Sequence, residues 1–267
     1  MAPIKTRAKR CPHHHLILVI SFSTIFTTFG ALRFTGSAPV TFSANVVPAP
    51  GAIAEGGTDG SAAFHNRNGK STTTVPWTAG NNPGADKPLS VEFWARPMRD
   101  QQGGQCPVNN RFVGGTGRTG WVIFQRNPNT TYPASEGHGW NFRMFRGAGS
   151  SGADVNTDTD YTVGQWQHLV FTWEPVTDNG DPGGNGNNQW EGILTAYVNG
   201  VPVNTNSTAL YAANLQTPED GSTAADLGIG SYNAKSGLGN NPFEGNVDEF
   251  AVYSDYLLKP EQILAHY

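Results

Sequence analysis

Short runs in which apolar and polar residues alternate recur along most of the chain, and this period of two predicts β-strands. The runs are rich in aromatic and β-branched residues and end at Gly, Pro or Asn. No amphipathic helical period separates them, so we predict antiparallel strands without crossover helices. The clearest runs are Leu89–Arg96, Gly120–Arg126, Gly139–Arg146, Gln165–Trp173, Ala225–Tyr232 and Gly245–Tyr253.

Turn and helix signals complete this pattern. Asn-Gly pairs at 68–69 and 199–200 lie between apolar runs, which predicts two tight hairpins because both turn residues must adopt positive φ. Near the C-terminus, Pro260 followed by Glu261 and Gln262 predicts the first turn of a short helix. We therefore predict an all-β fold, a two-sheet antiparallel jelly-roll sandwich with a short C-terminal helical turn.

The first 38 residues differ in kind from the rest. Basic residues precede an uncharged apolar run, Leu16–Leu32, and the small residues Gly36–Ala38 follow it. This order is typical of a secretory signal peptide. An uncleaved signal anchor is the alternative, because the run approaches the roughly 20 residues that span a bilayer. We expect a leader (residues 1–38), a linker with an entering strand (39–60), one β domain (61–267) and a secreted or cell-envelope location.

Four segments carry a resemblance to a known family. They are Leu89–Pro97, Gly164–Trp173, Tyr197–Gly200 and Val247–Tyr253, and their order resembles that in laminin-G-like and pentraxin-like modules of the concanavalin A-like lectin and glucanase superfamily. The resemblance covers about residues 50–267 and implies a jelly-roll sandwich. That superfamily includes binding modules, enzymes and structural domains, so the resemblance implies the fold more than the function. Lys259 stands where the family usually has a capping serine, which implies a weaker helix start.

Charge narrows the classes of partner. Residues 1–38 carry five of the 17 basic residues and none of the 21 acidic ones, so the rest of the chain has a formal charge of −9. An acidic domain without a Lys/Arg stripe argues against nucleic-acid binding and is compatible with cations and neutral sugars. We expect contact with a membrane only through an uncleaved N-terminal segment. Cys106 has no partner cysteine in the domain, so we expect a free thiol there, with an intermolecular disulfide as the alternative.

Catalytic patterns are missing from the sequence. Related sugar hydrolases place alternate carboxylates on one face of a strand as Glu-x-Asp-x-x-Glu, and no segment matches this pattern. Asp248 and Glu249 are adjacent, so they point to opposite faces of their strand. There is no Gly-x-Ser-x-Gly elbow. The resemblance implies that His168 is structural, with ring nitrogens bonded to backbone groups. We predict that the chain is not an enzyme.

Calcium is a candidate cofactor. Asp248 in the closing strand, with Asp59 or Glu55 and glycine carbonyls, could provide oxygen ligands of the kind that calcium prefers. The alternative is that Asp248 accepts hydrogen bonds from backbone groups of the first hairpin. Two acidic segments, 154–160 and 178–191, resemble calcium loops in composition, and solvated loops are the alternative there.

Sugar recognition is the function that we expect most. Aromatic faces that stack on sugar rings, beside amide or guanidinium donors, are typical of such sites. The alternative for any one of the tryptophans is a place in the core. We predict a non-catalytic lectin-like module, with a structural or adhesion module that binds an extracellular protein and a glycoside hydrolase as alternatives. The predicted ligand-binding residues are Trp121, Trp140, Asn141, Arg143, Gln189 and Trp190.

Overall fold

The computed structural model describes residues 17–20, 22–23, 41–42, 46–50, 52, 59–64, 72–78, 80–100, 104–114, 117–126, 137–147, 153–182, 188–213, 226–233 and 240–267. The helix α1 (Pro260–His266) follows the last strand. In chain order, the strands are β1 (Ile17–Ile20), β2 (Phe22–Ser23), β3 (Thr41–Phe42), β4 (Val46–Pro50), β5 (Asp59–Phe64), β6 (Thr73–Val75), β7 (Leu89–Pro97), β8 (Gln105–Asn109), β9 (Phe112–Gly114), β10 (Gly117–Thr119), β11 (Trp121–Gln125), β12 (Trp140–Met144), β13 (Ala153–Asn156), β14 (Gln167–Asp178), β15 (Trp190–Val198), β16 (Val201–Tyr211), β17 (Leu227–Ile229) and β18 (Gly245–Ser254).

Two antiparallel sheets hold most of these strands. Sheet A has the order β16-β15-β14-β7-β18-β5-β2, with β1 also pairing with β18 and β4 with β5. Sheet B has the order β13-β12-β11-β8-β17-β6-β3, and β9 and β10 form a separate two-stranded ribbon. The predicted two-sheet antiparallel sandwich is therefore confirmed.

The core lies between the two sheets. Alternate side chains of both sheets point inward and form one large apolar cluster, as expected for a face-to-face sandwich. Phe171 of sheet A stacks on Phe142 of sheet B, with ring centroids 4.6 Å apart and planes 20° apart. Each of these rings is almost completely buried, so this contact joins the two layers at the centre of the domain.

The hairpin between β15 and β16 has the turn that the sequence predicts. Asn199 and Gly200 have φ values of 52° and 79°, the positive values that the Asn-Gly pair predicts. The Asn68-Gly69 pair lies outside the described residues. At α1, the side chain of Gln262 accepts a hydrogen bond from the backbone N–H of Lys259 at 3.0 Å, which is the contribution of the N3 residue in a capping box.

Several short strands, β13 and β8 among them, were missed by the sequence pattern. Segment 154–160 was interpreted as an acidic loop, yet its first residues belong to β13, which pairs with β12. Only two apolar residues mark this short strand, so its alternation is weak. The strand β8 contains Pro107 and has an irregular register with β11, which hides its period.

Parts of the predicted leader and linker form strands. Ile17–Ile20 pairs with Phe250–Tyr253 of β18, and Val46–Pro50 pairs with β5. Most of residues 1–38 lie outside the described part, and so does Glu55. The division into leader, linker and domain stays a prediction. Among the described residues, no helix has the length and apolar character needed to cross a membrane.

Candidate functional site

The outer face of sheet B carries the residues best suited to bind a ligand. Along β11, Trp121 and Ile123 point into the core, whereas Val122 and Phe124 belong to a separate cluster on the outer face. The same alternation along β12 turns Asn141 and Arg143 outward between inward-facing rings. A polar pair at alternate positions of an otherwise apolar strand therefore marks this face.

Four outward side chains on β12 and β13 form a polar quartet (Asn141, Arg143, Asp154 and Asn156). Arg143 is directly opposite Asp154 in the register, and its Nε and Nη2 donate to the two carboxylate oxygens, each at 2.6 Å. Asn141 is opposite Asn156, and its Nδ2 donates to Asn156 Oδ1 at 2.8 Å. The cross-strand pairs thus fix the direction of guanidinium, carboxylate and amide groups on a rigid sheet.

The polar quartet is partly open to solvent. The side chains of Arg143 and Asp154 are 24% and 34% exposed. Asn141 is buried, and no donor is within hydrogen-bond reach of its Oδ1 among the described residues. This oxygen is closed to solvent, so Arg143 and Asp154 are the members of the polar quartet that a ligand can reach.

Arginines cover aromatic rings beside the quartet and form, with those rings, a basic–aromatic face (Phe124, Phe145, Tyr232, Arg111, Arg126 and Arg143). The Cζ atoms of Arg126 and Arg143 lie 4.8 Å and 5.6 Å from the centroid of the Phe124 ring. Arg111 lies over two rings, at 5.1 Å from Phe145 and 4.8 Å from Tyr232. Arg111 and Arg126 are only 7% and 8% exposed, so Arg143 is the arginine among these three that is most open to a ligand.

Burial and positive charge both act on the ionisable groups of this face. Burial lowers the pKa of Arg111, and the nearby positive charge of Arg118 lowers it further. Burial raises the pKa of Tyr232, against the effect of Arg111, Arg143 and Arg118, which lower it. The pKa of the Cys106 thiol is raised mainly by burial, so this free cysteine is a neutral thiol under the face.

The structure places Trp121 and Trp140 in the core instead of on a binding surface. Both are 0% exposed, so neither ring presents a face to a sugar. Trp121 packs on Phe142, and Trp140 donates from Nε1 to Gln167 Oε1 at 2.8 Å. The sequence offered the core as the alternative for these rings, and their strand alternation puts them there.

Trp190 is the first residue of β15, in the other sheet, and Gln189 directly precedes it. Gln189 donates from Nε2 to the backbone oxygen of Arg146 at 2.8 Å, and Trp190 packs, partly buried, against the main core. Of the six predicted ligand-binding residues, the structure therefore brings Asn141 and Arg143 together in the polar quartet. Gln189 reaches only the backbone that follows β12.

Asp248 lies buried in β18 and already has hydrogen-bond partners. Its Oδ2 accepts from the backbone N–H of Ala52 and its Oδ1 from that of Glu249, each at 2.9 Å. Asp59 is part of β5, and its side chain lies outside the described part. Among the described residues, no group of three or more His, Cys, Asp or Glu side chains could hold a metal ion. The Asp248 partners fit the backbone alternative better than a calcium ion, and calcium stays a prediction.

A second polar cluster on the outer face of sheet A was not anticipated. His168 was expected to bond to backbone groups through its ring, but its Nε2 lies 2.8 Å from Glu92 Oε1. The same carboxylate contacts His266 Nδ1 at 2.9 Å and accepts from the Tyr253 hydroxyl at 2.5 Å. This buried network attaches α1 to the sheet. The signal available in the sequence was a glutamate inside the apolar run of β7.

Comparisons with known proteins agree with this architecture. Domain 4 of AbnA, a GH43 extracellular arabinanase from Geobacillus stearothermophilus in complex with arabinotriose, has 19% identity and a TM-score of 0.51, covering 85% of this chain and 87% of that one. The binding domain of Paraclostridial Mosquitocidal Protein 1 has 14% identity and a TM-score of 0.57, covering 93% and 51%. The binding domain of Botulinum neurotoxin DC in complex with SialylT has 13% identity and a TM-score of 0.51, covering 94% and 50%.

These likenesses show the fold, and the chain spans about half the length of the two toxin domains. No curated protein matches the sequence. A family model, Laminin_G_3, described as the concanavalin A-like lectin/glucanases superfamily, matches residues 68–264. The chain therefore belongs to the laminin-G-like branch of the concanavalin A-like lectin and glucanase superfamily.

Proposed function

We propose that this chain is a non-catalytic carbohydrate-binding module and that the polar quartet is its main contact surface. The observation that carries the proposal is the fixed set of guanidinium, carboxylate and amide groups on the outer face of sheet B. Sugar hydroxyls both donate and accept hydrogen bonds, so they match a surface that offers both kinds of group in one plane. The arabinotriose complex of the AbnA domain supports the proposal by analogy of fold.

In this proposal, the aromatic rings of the basic–aromatic face hold the arginine side chains in place and do not contact the ligand. Phe124 is buried beneath Arg126 and Arg143, so a sugar would meet the guanidinium groups before it met the ring. The mechanism is therefore hydrogen bonding by pre-ordered polar groups, with little need for aromatic stacking. The leader-like pattern of residues 1–38 supports an extracellular place of action.

A glycan array, followed by calorimetric titration of the strongest ligand, tests the proposal. We expect Arg143→Ala to weaken binding by at least tenfold, because it removes the bidentate donor and leaves Asp154 without its partner. Arg143→Lys keeps the positive charge but cannot donate two parallel hydrogen bonds. Its glycan affinity should therefore lie between those of Arg143→Ala and the wild type.

Arg96→Ala is the matched control, since Arg96 also lies over a ring, at 5.2 Å from Trp166, but on sheet A. Equal losses in the two alanine variants, or an array without any bound glycan, would contradict the proposal. Reducing ends released from a bound glycan would show that the module is catalytic. Melting curves of each variant establish that the fold is intact.

A protein ligand is the second candidate, and a surface near α1 favours it. Val201, Leu264 and Tyr267 are large apolar residues that are more than half exposed. Leu264 and Tyr267 lie next to Gly200 in the β15–β16 turn, and Val201 directly follows Gly200, so the three apolar residues are close together. Leu264→Ser would weaken binding to a protein partner, whereas the glycan proposal predicts that it leaves glycan affinity unchanged.

A further inference from the structure

The strand β13, which carries half of the polar quartet, is the edge strand of sheet B and pairs with β12 on one side. The backbone N–H of Thr157, just after β13, donates to the backbone oxygen of Trp140 at 2.8 Å. In an antiparallel pair, residues that bond to the partner strand alternate with residues whose peptide groups point away from it. The peptide groups of Asp154 and Asn156 therefore point away from β12, towards β16 at the edge of sheet A.

Two half-buried asparagines of β16 meet these peptide groups and form an asparagine seam (Asn204 and Asn206) between the two sheets. Asn204 donates from Nδ2 to the backbone oxygen of Asn156 at 2.7 Å, and its Nδ2 also lies 3.4 Å from Asp158 Oδ2. Asn206 donates from Nδ2 to the backbone oxygen of Asp154 at 3.3 Å. The donors and the acceptors are both two positions apart, so β16 and β13 are in register and run in opposite directions.

The other end of each seam amide is bonded to its own strand. Asn204 Oδ1 accepts from the backbone N–H of Thr205 at 2.8 Å, and Asn206 Oδ1 accepts from that of Thr208 at 3.1 Å. A backbone N–H can only donate and a backbone oxygen can only accept, so one orientation of each amide satisfies both of its partners. Each donor is therefore fixed in its direction towards β13.

We propose that Asn204 and Asn206 are positioning residues of the polar quartet, which hold β13 in place and with it the Asp154 carboxylate that a glycan would contact. A short edge strand that pairs on one side has few bonds of its own to fix its position. A displaced β13 would move Asp154 relative to Arg143, whose two donors need both carboxylate oxygens in place. This proposal rests on the proposed function and adds to its site two residues from the other sheet.

Nitrogen-15 NMR spectra of the full chain test the positioning without a ligand. Asn206→Asp and Asn204→Asp keep the oxygen that accepts from the backbone but replace the donor with a carboxylate, which repels the backbone oxygen of β13. We expect Asn206→Asp to displace the Nε–H resonance of Arg143, which donates to Asp154. Asn204→Asp should displace the side-chain amide resonance of Asn141, which donates to Asn156.

Calorimetric titration with the strongest glycan on the array measures the consequence for binding. Each aspartate variant should weaken the affinity about fivefold or more, the order expected for the loss of one hydrogen bond. Thr205→Val is the matched control on the same strand, because it removes the hydroxyl contact with Thr195 at 3.2 Å and leaves both seam bonds in place. It should leave both resonances in place and change the affinity less than twofold.

Serine variants separate the lost donor from the added charge. Asn204→Ser and Asn206→Ser shorten the side chain without adding a charge, so they should displace the same resonances. They also replace any aspartate variant whose melting curve is not cooperative. A displacement seen with aspartate and not with serine would come from the charge alone and would overturn the proposal.

The two readouts distinguish this proposal from the proposed function. Resonances that stay in place in the seam variants would overturn the positioning role, whatever the affinities are. Displaced resonances with full glycan affinity would overturn it as well, because the seam would then support the fold alone. If no glycan bound the wild type on a broad array, the proposed function would be overturned, and the resonances would decide whether the seam positions the quartet.

Discussion

Protonation of Glu92 should weaken the domain between pH 4.5 and pH 2. This carboxylate is 6% exposed and contacts His168, His266 and Tyr253 on the outer face of sheet A. Burial alone would raise its pKa, but the hydrogen bonds and positive charges of the two histidines lower the pKa from 4.5 to about 2. The ionised form is therefore the one that the folded state favours.

The difference between these two pKa values sets the size of the effect. At about 1.4 kcal/mol for each pH unit, it corresponds to about 3 kcal/mol of folding free energy. Because the folded-state pKa is below the unfolded one, the unfolded chain takes up the proton first as the pH falls. The stabilisation is complete above pH 4.5 and is lost progressively as the pH falls towards 2.

Urea unfolding, followed by tryptophan fluorescence at several pH values between 7 and 2.5, measures this contribution. Glu92→Gln removes the charge and keeps a side chain of similar size, so it should lower the free energy of unfolding at pH 7 by about 3 kcal/mol. The variant should also lose less stability than the wild type as the pH falls below 4.5. Glu174→Gln is the matched control, an exposed glutamate on the neighbouring strand β14. If Glu92→Gln kept the pH slope of the wild type, the network would not be the source of acid sensitivity and the reasoning would be refuted.

Three further predictions concern buried groups, and a fourth concerns calcium. Asp248→Ala should lower the free energy of unfolding by about 2–4 kcal/mol, because the backbone amides of Ala52 and Glu249 lose their acceptor. Urea midpoints measure this loss, and a loss below about 0.5 kcal/mol would contradict the hydrogen-bond pattern. With these partners in place, EDTA should leave the melting temperature unchanged, and a rise in that temperature on adding calcium would show that a metal binds. Asn110→Ala removes two buried side-chain hydrogen bonds and should lower the free energy of unfolding by about 2 kcal/mol. Phe171→Ala should lower it by about 3–5 kcal/mol, because the ring packs between the two sheets. Chemical denaturation measures both losses, and an unchanged stability would contradict the packing described.

The fold could be predicted because strand alternation and turn residues are local signals. The Asn199-Gly200 turn and the run of β18 show this, since each needs only its own residues to be recognised. Alternation does not tell which of the two faces meets the core. In β11 both faces are apolar, so the sequence could not separate the buried ring of Trp121 from the outward ring of Phe124.

Two residues of the proposed polar quartet could be singled out from the sequence for the same reason. Asn141 and Arg143 are polar residues on an apolar strand, and that contrast is visible without a structure. Their cross-strand partners come from β13, whose alternation is too short to recognise. The Glu92 network joins residues that are 76 and 174 positions apart in the sequence, so only the register of sheet A and the docking of α1 bring them together.

The most direct test of the central claim is a crystal structure of the domain with the glycan that binds most strongly on the array. The account predicts that this glycan lies across β12 and β13, within hydrogen-bond distance of Arg143 and Asp154. Density for the glycan on sheet A, or on loops away from the polar quartet, would contradict the claim that the outer face of sheet B is the binding surface.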